Sequence, residues 1–254
     1  NRFTLFEAIE KTEQTGSKVI EFYPGQALSP DRRNVKWDHN ASDELIQEVL
    51  AKLQKHGIKG VNYGVVTIPN DEAAARKLFD FAKKIGLYGI TTESTDSLDL
   101  AEKLAKEYDL RVCIHEHAKR MKKDASGQMV EDTSYKVWKP AYVADLVKNR
   151  DKRIGACADI GHWQTSGIKA IDGLKMLHGR VMSLHMKDRP ALGPGQHDTI
   201  VGTGISDIGG VLAELKAQGF NGNISIEYEF NWDNSVPDIA QCIGFVRGWA
   251  ARNP

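Results

Sequence analysis

The sequence predicts an α/β fold, a (β/α)8 TIM barrel whose first strand lies before Asn1. Three observations predict it. Helical and β-rich stretches alternate along the whole chain, links from strand to helix are far longer than links from helix to strand, and an ionisable residue closes strand after strand at the same end. The 254 residues carry 34 Lys+Arg against 34 Asp+Glu, with 41% hydrophobic and 27% charged residues. That composition belongs to a globular chain and excludes wholesale disorder. No run of roughly 18 apolar residues occurs, so no membrane span is expected. A balanced charge without a Lys/Arg block argues against a nucleic-acid binder, which must neutralise phosphates. Cys113, Cys157 and Cys242 are too few and too scattered for a disulfide framework or a zinc cage.

Helices are marked by their ends. Thr4 stands three residues before Glu7, a capping-box spacing, and that helix stops at Gly16. Ser42-Asp43-Glu44 opens a helix that ends at Gly57, and Asn70-Asp71-Glu72 opens one that ends at Gly86. Further helices are predicted over 97–108, 138–149, 168–178, 206–218 and 236–251, with Ser206 and Gly219 bracketing the one between them. The β-rich runs are Val19–Tyr23, Gly60–Val66, Tyr88–Glu93, Arg111–His115, Ile154–Asp159, Arg180–Met186 and Asn223–Tyr228. Eight helices and seven strands, starting on a helix, are most simply an eight-fold barrel lacking its first strand; a seven-stranded or doubly wound sheet is the alternative. No linker or composition break divides residues 1–254, so a single domain is expected. A leader removed before Asn1 would suit the periplasm, and the cytoplasm fits equally.

The long links, 24–41, 117–137 and 187–205, gather on the C-terminal face, where barrel enzymes place their chemistry. Strand alternation points one residue set to the helices and the other inward. The inward set is small low in the barrel and ends with Glu93, His115, Asp159, His185 and Glu227. Like-charged carboxylates crowded with imidazoles need a compensating positive charge. One divalent metal ion, Mn²⁺, Mg²⁺, Co²⁺ or Zn²⁺, supplies it and keeps positions open for substrate oxygens. The plainer reading is a salt-bridge network with Lys187, Arg189 and protonated histidines.

Several segments together resemble the xylose isomerase-like barrel family, the sugar phosphate isomerase/epimerase group that includes endonuclease IV. They are Ala158-Asp159-Ile160-Gly161-His162, Leu184-His185-Met186-Lys187-Asp188, Gly202-Thr203-Gly204-Ile205-Ser206-Asp207-Ile208 and Ile226-Glu227-Tyr228-Glu229. The resemblance implies Asp159, His185 and Glu227 as metal ligands and Glu227 as a catalytic carboxylate as well. Many members carry a metal-binding Glu where this chain reads His115-Glu116-His117. Glu93, on the inward face of the preceding strand, is therefore expected as the fourth ligand, with His115 as its rival or as a partner behind the ligands. By alternation Glu116 points the other way.

Such a site supports proton abstraction next to a carbonyl through a metal-bound enediolate, which leads to isomerisation, epimerisation or, with a leaving group, elimination. Glu227 or His115 is the expected base, with Lys187 steadying developing negative charge. His117, His162, Trp163 and Glu229 are the candidates to bind substrate, Trp163 by stacking on a sugar face, although a Trp there is more often a packing residue. Gly202-Thr203-Gly204 matches no P-loop and reads as the turn closing the long loop. With no cluster of arginines to clamp phosphate, a non-phosphorylated carbohydrate is the expected small-molecule partner, and a homo-oligomer is compatible with the sequence. The reading is thus a sugar isomerase or epimerase. The alternatives are a lyase or dehydratase on a keto-sugar or keto-polyol, and a sugar-binding barrel without catalysis. An amidohydrolase would carry its His-x-His pair on the first strand, and an endonuclease-IV-like role would want a basic rim.

Overall fold

The computed structural model describes residues 2–254. All seven expected strands form: β1 (Val19–Phe22), β2 (Lys59–Tyr63), β3 (Gly89–Thr92), β4 (Arg111–His115), β5 (Ile154–Asp159), β6 (Val181–Met186) and β7 (Asn223–Ile226). They are hydrogen-bonded in sequence order in one sheet. The registered pairs β1–β2, β2–β3, β5–β6 and β6–β7 are all parallel. Among the described residues there are nine helices: α1 (Leu5–Gln14), α2 (Asp43–His56), α3 (Glu72–Ile85), α4 (Leu98–Tyr108), α5 (Pro140–Val147), α6 (Ile160–Thr165), α7 (Ala170–Met176), α8 (Ile208–Ala217) and α9 (Val236–Arg252). None is long and apolar enough to cross a membrane.

The chain gathers into two compact units, one running to Cys113 and resuming with Asn231–Pro254, the other Ile114–Phe230. In the first, the expected helix ends are the observed ones. The Thr4 N–H donates to Glu7 Oε2 at 2.8 Å and the Glu7 N–H to Thr4 Oγ1 at 3.4 Å, closing the capping box. Ser42 and Asp71 accept the N–H groups of Leu45 and Ala74, and α2 and α3 end on left-handed Gly57 and Gly86. The apolar stripes of these helices bury Leu5, Ile9, Val49, Leu53, Leu78 and Phe79. An aromatic chain extends this core: the rings of Phe22 and Trp37 lie 5.7 Å apart, Trp37 and Phe81 5.0 Å, and Tyr63 and Phe81 5.0 Å. The link after β1 carries a short ribbon, Gln26–Ala27 with Lys36–Trp37.

The second unit departs from the expectation in three places. Asp159, the last residue of β5, is also the N-cap of α6: its side chain accepts the His162 N–H at 2.8 Å. The predicted loop there is therefore a helix that begins without any link. Residues 117–137 contain an antiparallel hairpin, Met121–Lys123 with Met129–Glu131. Helix α8 is capped not by Ser206 but by Asp207, which accepts the Gly210 N–H at 3.1 Å from a left-handed backbone (φ 46°).

Ser206 is engaged elsewhere. Buried Asp188 accepts from Arg189 N at 3.0 Å, Ser206 N at 3.0 Å and Ser206 Oγ at 2.6 Å on Oδ1, and from Gly202 N at 2.9 Å and Gly204 N at 2.8 Å on Oδ2. The Gly-Thr-Gly turn is thus wrapped around one carboxylate. A Cβ on Gly204 would sit 2.3 Å from Asp188 Oδ1, which explains the glycine. Replacing Asp188 by Ala orphans these donors and is expected to cost about 2–4 kcal/mol. Urea denaturation measures the loss, and limited proteolysis should newly cut within 190–206.

Candidate metal and active site

Parallel register builds the site within the second unit. His185 on β6 is the direct partner of Asp159 on β5, and Ser225 on β7 is the partner of His185. Two residues further, just past β7, stands Glu227, whose N–H still donates to Met186 O at 3.2 Å. His115 ends β4. Strands that twist together and end together thus bring side chains from four segments to one place. His115, Asp159, His185 and Glu227 each offer one ligand atom, and these four atoms all lie within 4.8 Å of one another. His115, expected as the rival fourth ligand, is one of the four, while Glu93 follows β3 in the first unit.

Asp159 is fully buried. Its Oδ1 serves the α6 cap, while Oδ2 accepts no hydrogen bond of normal geometry. Four nitrogens surround Oδ2 at a distance: Lys187 Nζ at 3.5 Å, His162 Nε2 at 3.6 Å, and His115 Nε2 and His185 Nδ1 at 3.7 Å. A buried carboxylate oxygen without a bonded donor is costly, so such an atom calls for a partner. The four candidate ligand atoms, all within 4.8 Å of one another, lie near the separations of roughly 3–3.5 Å that bonds of about 2.1 Å to a small divalent cation would set. Two imidazoles and two carboxylates suit Zn²⁺, Co²⁺ or Mn²⁺ better than the all-oxygen preference of Mg²⁺.

Charge explains the protonation states. Burial would raise the Asp159 pKa, but the Lys187 ammonium, with the rings of His162, His115 and His185 close by, holds it well below the usual carboxylate range. Glu227 behaves likewise. Against burial, His185 Nδ1 at 2.8 Å and Lys187 Nζ at 3.4 Å take its carboxyl down to about 2, with Asp159 opposing them. Its Oε2 is buried although the side chain as a whole stays 37% exposed. Burial takes His162 down to about 3, against the attraction of Asp159, so this ring is neutral at pH 7.

Other expected residues take definite places. The His117 and His162 rings lie 4.0 Å apart at an interplanar angle of 38°, and His162 stands 5.7 Å from the His115 ring. Trp163, expected to stack on a sugar, is instead fully buried; a Cβ on Gly173 would lie 2.5 Å from its ring, so the indole is a packing element. Lys187, expected to act on substrate charge, has a fully buried side chain behind the carboxylates, donating to Glu229 Oε2 at 2.6 Å. Arg189 does not join the cluster: it reaches Asp198 Oδ1 at 3.3 Å and donates to Gln196 O at 2.6 Å. Asp198 in turn accepts the Glu229 N–H at 2.7 Å and so fixes the segment beyond Glu227. Nothing local in the sequence marks Asp198, which lies in mid-loop; Asp188 could be suspected from the glycines that follow it.

Glu116 is fully buried. Burial holds its carboxyl well above the usual range and Asp159 pushes the same way; the nearby Trp163 indole opposes them without making a well-formed hydrogen bond. A carboxyl whose folded pKa is raised costs nothing below its ordinary value of 4.5 and progressively more as pH climbs above it. Glu116→Gln should therefore stabilise the protein at pH 7 by about 1–3 kcal/mol, and the gain should vanish near pH 4. Urea midpoints for both proteins at the two pH values check this; identical midpoints at pH 7 would show that the carboxyl is not held neutral.

Comparison with known proteins adds three findings. A sequence profile described as xylose isomerase-like TIM barrel matches residues 9–247. An uncharacterised protein from Parabacteroides distasonis ATCC 8503 superposes with a TM-score of 0.73 at 30% identity, covering 96% of this chain and 93% of that one. D-psicose 3-epimerase from Clostridium cellulolyticum H10, solved with D-tagatose, gives 0.66 at 14% identity over 95% and 92%, and the IolI protein, solved with a zinc atom, gives 0.65 at 16% over 98% and 94%. No curated protein matches significantly by sequence.

Proposed function

The chain belongs to the xylose isomerase-like TIM barrel family, and from that premise we propose that it is a metal-dependent sugar isomerase or epimerase acting on a non-phosphorylated carbohydrate. One observation carries the reading: a buried carboxylate oxygen of Asp159 without a hydrogen bond, inside a cluster whose His115, Asp159, His185 and Glu227 donors lie within 4.8 Å of one another. These four residues would hold the cation. When bound, it polarises a substrate carbonyl and lowers the cost of the negative charge that develops on the oxygen. The zinc of one structural neighbour and the sugar bound in another support the same reading.

The chain's own groups do the rest. Glu227, ionised at neutral pH and partly exposed, takes the proton from the carbon next to the carbonyl and returns it to the neighbouring carbon on the same face; epimerisation would need a second proton donor on the opposite face. His162, neutral and backed by His117, offers a ring nitrogen to a substrate hydroxyl. Asp159 fixes the start of α6, and with it the position of His162. The charges favour a neutral substrate: Asp159, Glu227 and Glu229 oppose one ammonium, that of Lys187, so a divalent cation brings the site to balance. The guanidinium of Arg189, which a phosphate would want, is engaged with Asp198.

The test is solvent exchange. Incubated with ketoses and polyol ketones in deuterated water with Mn²⁺, the protein should place deuterium on the carbon beside the carbonyl of its substrate. Chelation should stop the exchange and Mn²⁺ restore it. Glu227→Gln should slow it at least about a hundredfold while the unfolding transition stays cooperative. Binding of the sugar without any exchange would identify a binding barrel instead.

A further inference from the structure

Lys187 brings a lysine ammonium to the cluster on a stem whose path is constrained. Its stem lies against Gly161, where a Cβ would come 2.5 Å from Lys187 Cβ and 2.6 Å from Cδ. Only a glycine leaves room for that path. The ammonium has two sets of carboxylates within reach: Glu229 Oε2 at 2.6 Å on one side, and Asp159 Oδ2 at 3.5 Å and Glu227 Oε2 at 3.4 Å on the other. Those last two residues belong to the four-donor group. A divalent cation seated there and the buried ammonium would repel each other at a few ångströms, where water screens poorly.

Resting on the metal reading above, we infer that Lys187 is a built-in counter-cation which competes with a divalent ion for Asp159 and Glu227, and that Glu229 is a positioning residue which draws the ammonium aside. Without the ion, Lys187 keeps the Asp159 and Glu227 carboxylates from repelling each other and so holds the site in shape. With the ion, the ammonium moves fully onto Glu229. That position is ready for it: the Glu229 backbone is tied to Asp198, its carboxylate already takes the Lys187 hydrogen bond, and its side chain is 44% exposed. The arrangement trades metal affinity for a preformed site, and it makes Glu229 a determinant of that affinity although it is not itself a ligand.

The two residues should therefore act in opposite directions. Mn²⁺ or Zn²⁺ alone, titrated into the full chain by calorimetry, gives the dissociation constant, and thermal unfolding with and without the ion gives its stabilisation. Lys187→Met should bind the ion at least about tenfold more tightly than the unaltered chain and be less stable without it. Glu229→Gln should bind it about threefold or more weakly, because the ammonium then stays on Asp159 and Glu227. In the Lys187→Met background, Glu229→Gln should change affinity little, since its action runs through the lysine. Equal or weaker binding by Lys187→Met overturns the inference, as does an undiminished effect of Glu229→Gln in that background, which would mean that Glu229 acts by its own charge. If Lys187→Met does not fold, unchanged affinity in Glu229→Gln alone suffices to overturn it. An unaltered chain that takes up no divalent ion overturns the metal reading itself, and the two failures are thereby told apart.

Discussion

The carboxylate of Asp159 is the constraint on which the rest of the second unit turns. One oxygen starts α6 and the other sits in the middle of four nitrogens without bonding any of them closely. A single side chain thus ends a strand, begins a helix, orients His162 and sets the field that keeps Lys187 charged. Burying that much charge would be prohibitive if the partners were scattered. The parallel register, with His185 beside Asp159, is what makes them converge.

Around that centre, the supporting groups are arranged in series. Asp188 pins the turn of residues 202–206, Arg189 and Asp198 pin the first part of the same loop, and Asp198 also holds the backbone of Glu229. Glu229 in turn meets Lys187, which meets Asp159 and Glu227. A long loop that would be mobile if left to itself is therefore anchored by buried carboxylates at several points. Rigidity of this kind suits a site that must hold cation and substrate oxygens in fixed relation.

Much of this was legible in the sequence, and the reasons are specific. Alternation within Ala158-Asp159 and Leu184-His185 places both ionisable residues inward at a strand end, and a parallel sheet brings such ends together. That His115 lies with Asp159, His185 and Glu227 was not legible, because alternation turns several strand-end residues inward and only three-dimensional placement shows which donor atoms meet. Trp163 admitted both a sugar-stacking and a packing reading because it follows His162; burial over Gly173 is a property of α6, which begins at once on Asp159 and turns the next side chain away. Ser206 read as a helix cap because the residue type and spacing fit, and Asp188, 18 positions earlier, claims it instead.

By itself the sequence determined the alternation of strands and helices, the capped ends of α1, α2 and α3, and the strand termini at which ionisable residues collect. All of these depend on neighbours a few residues apart, where side-chain period and capping chemistry act directly. Tertiary structure alone decided which of those residues share a centre, which cation each carboxylate faces, and which carboxyl is driven neutral. Those outcomes depend on distances between segments far apart in the chain and on the exclusion of water, and neither quantity is written in local pattern.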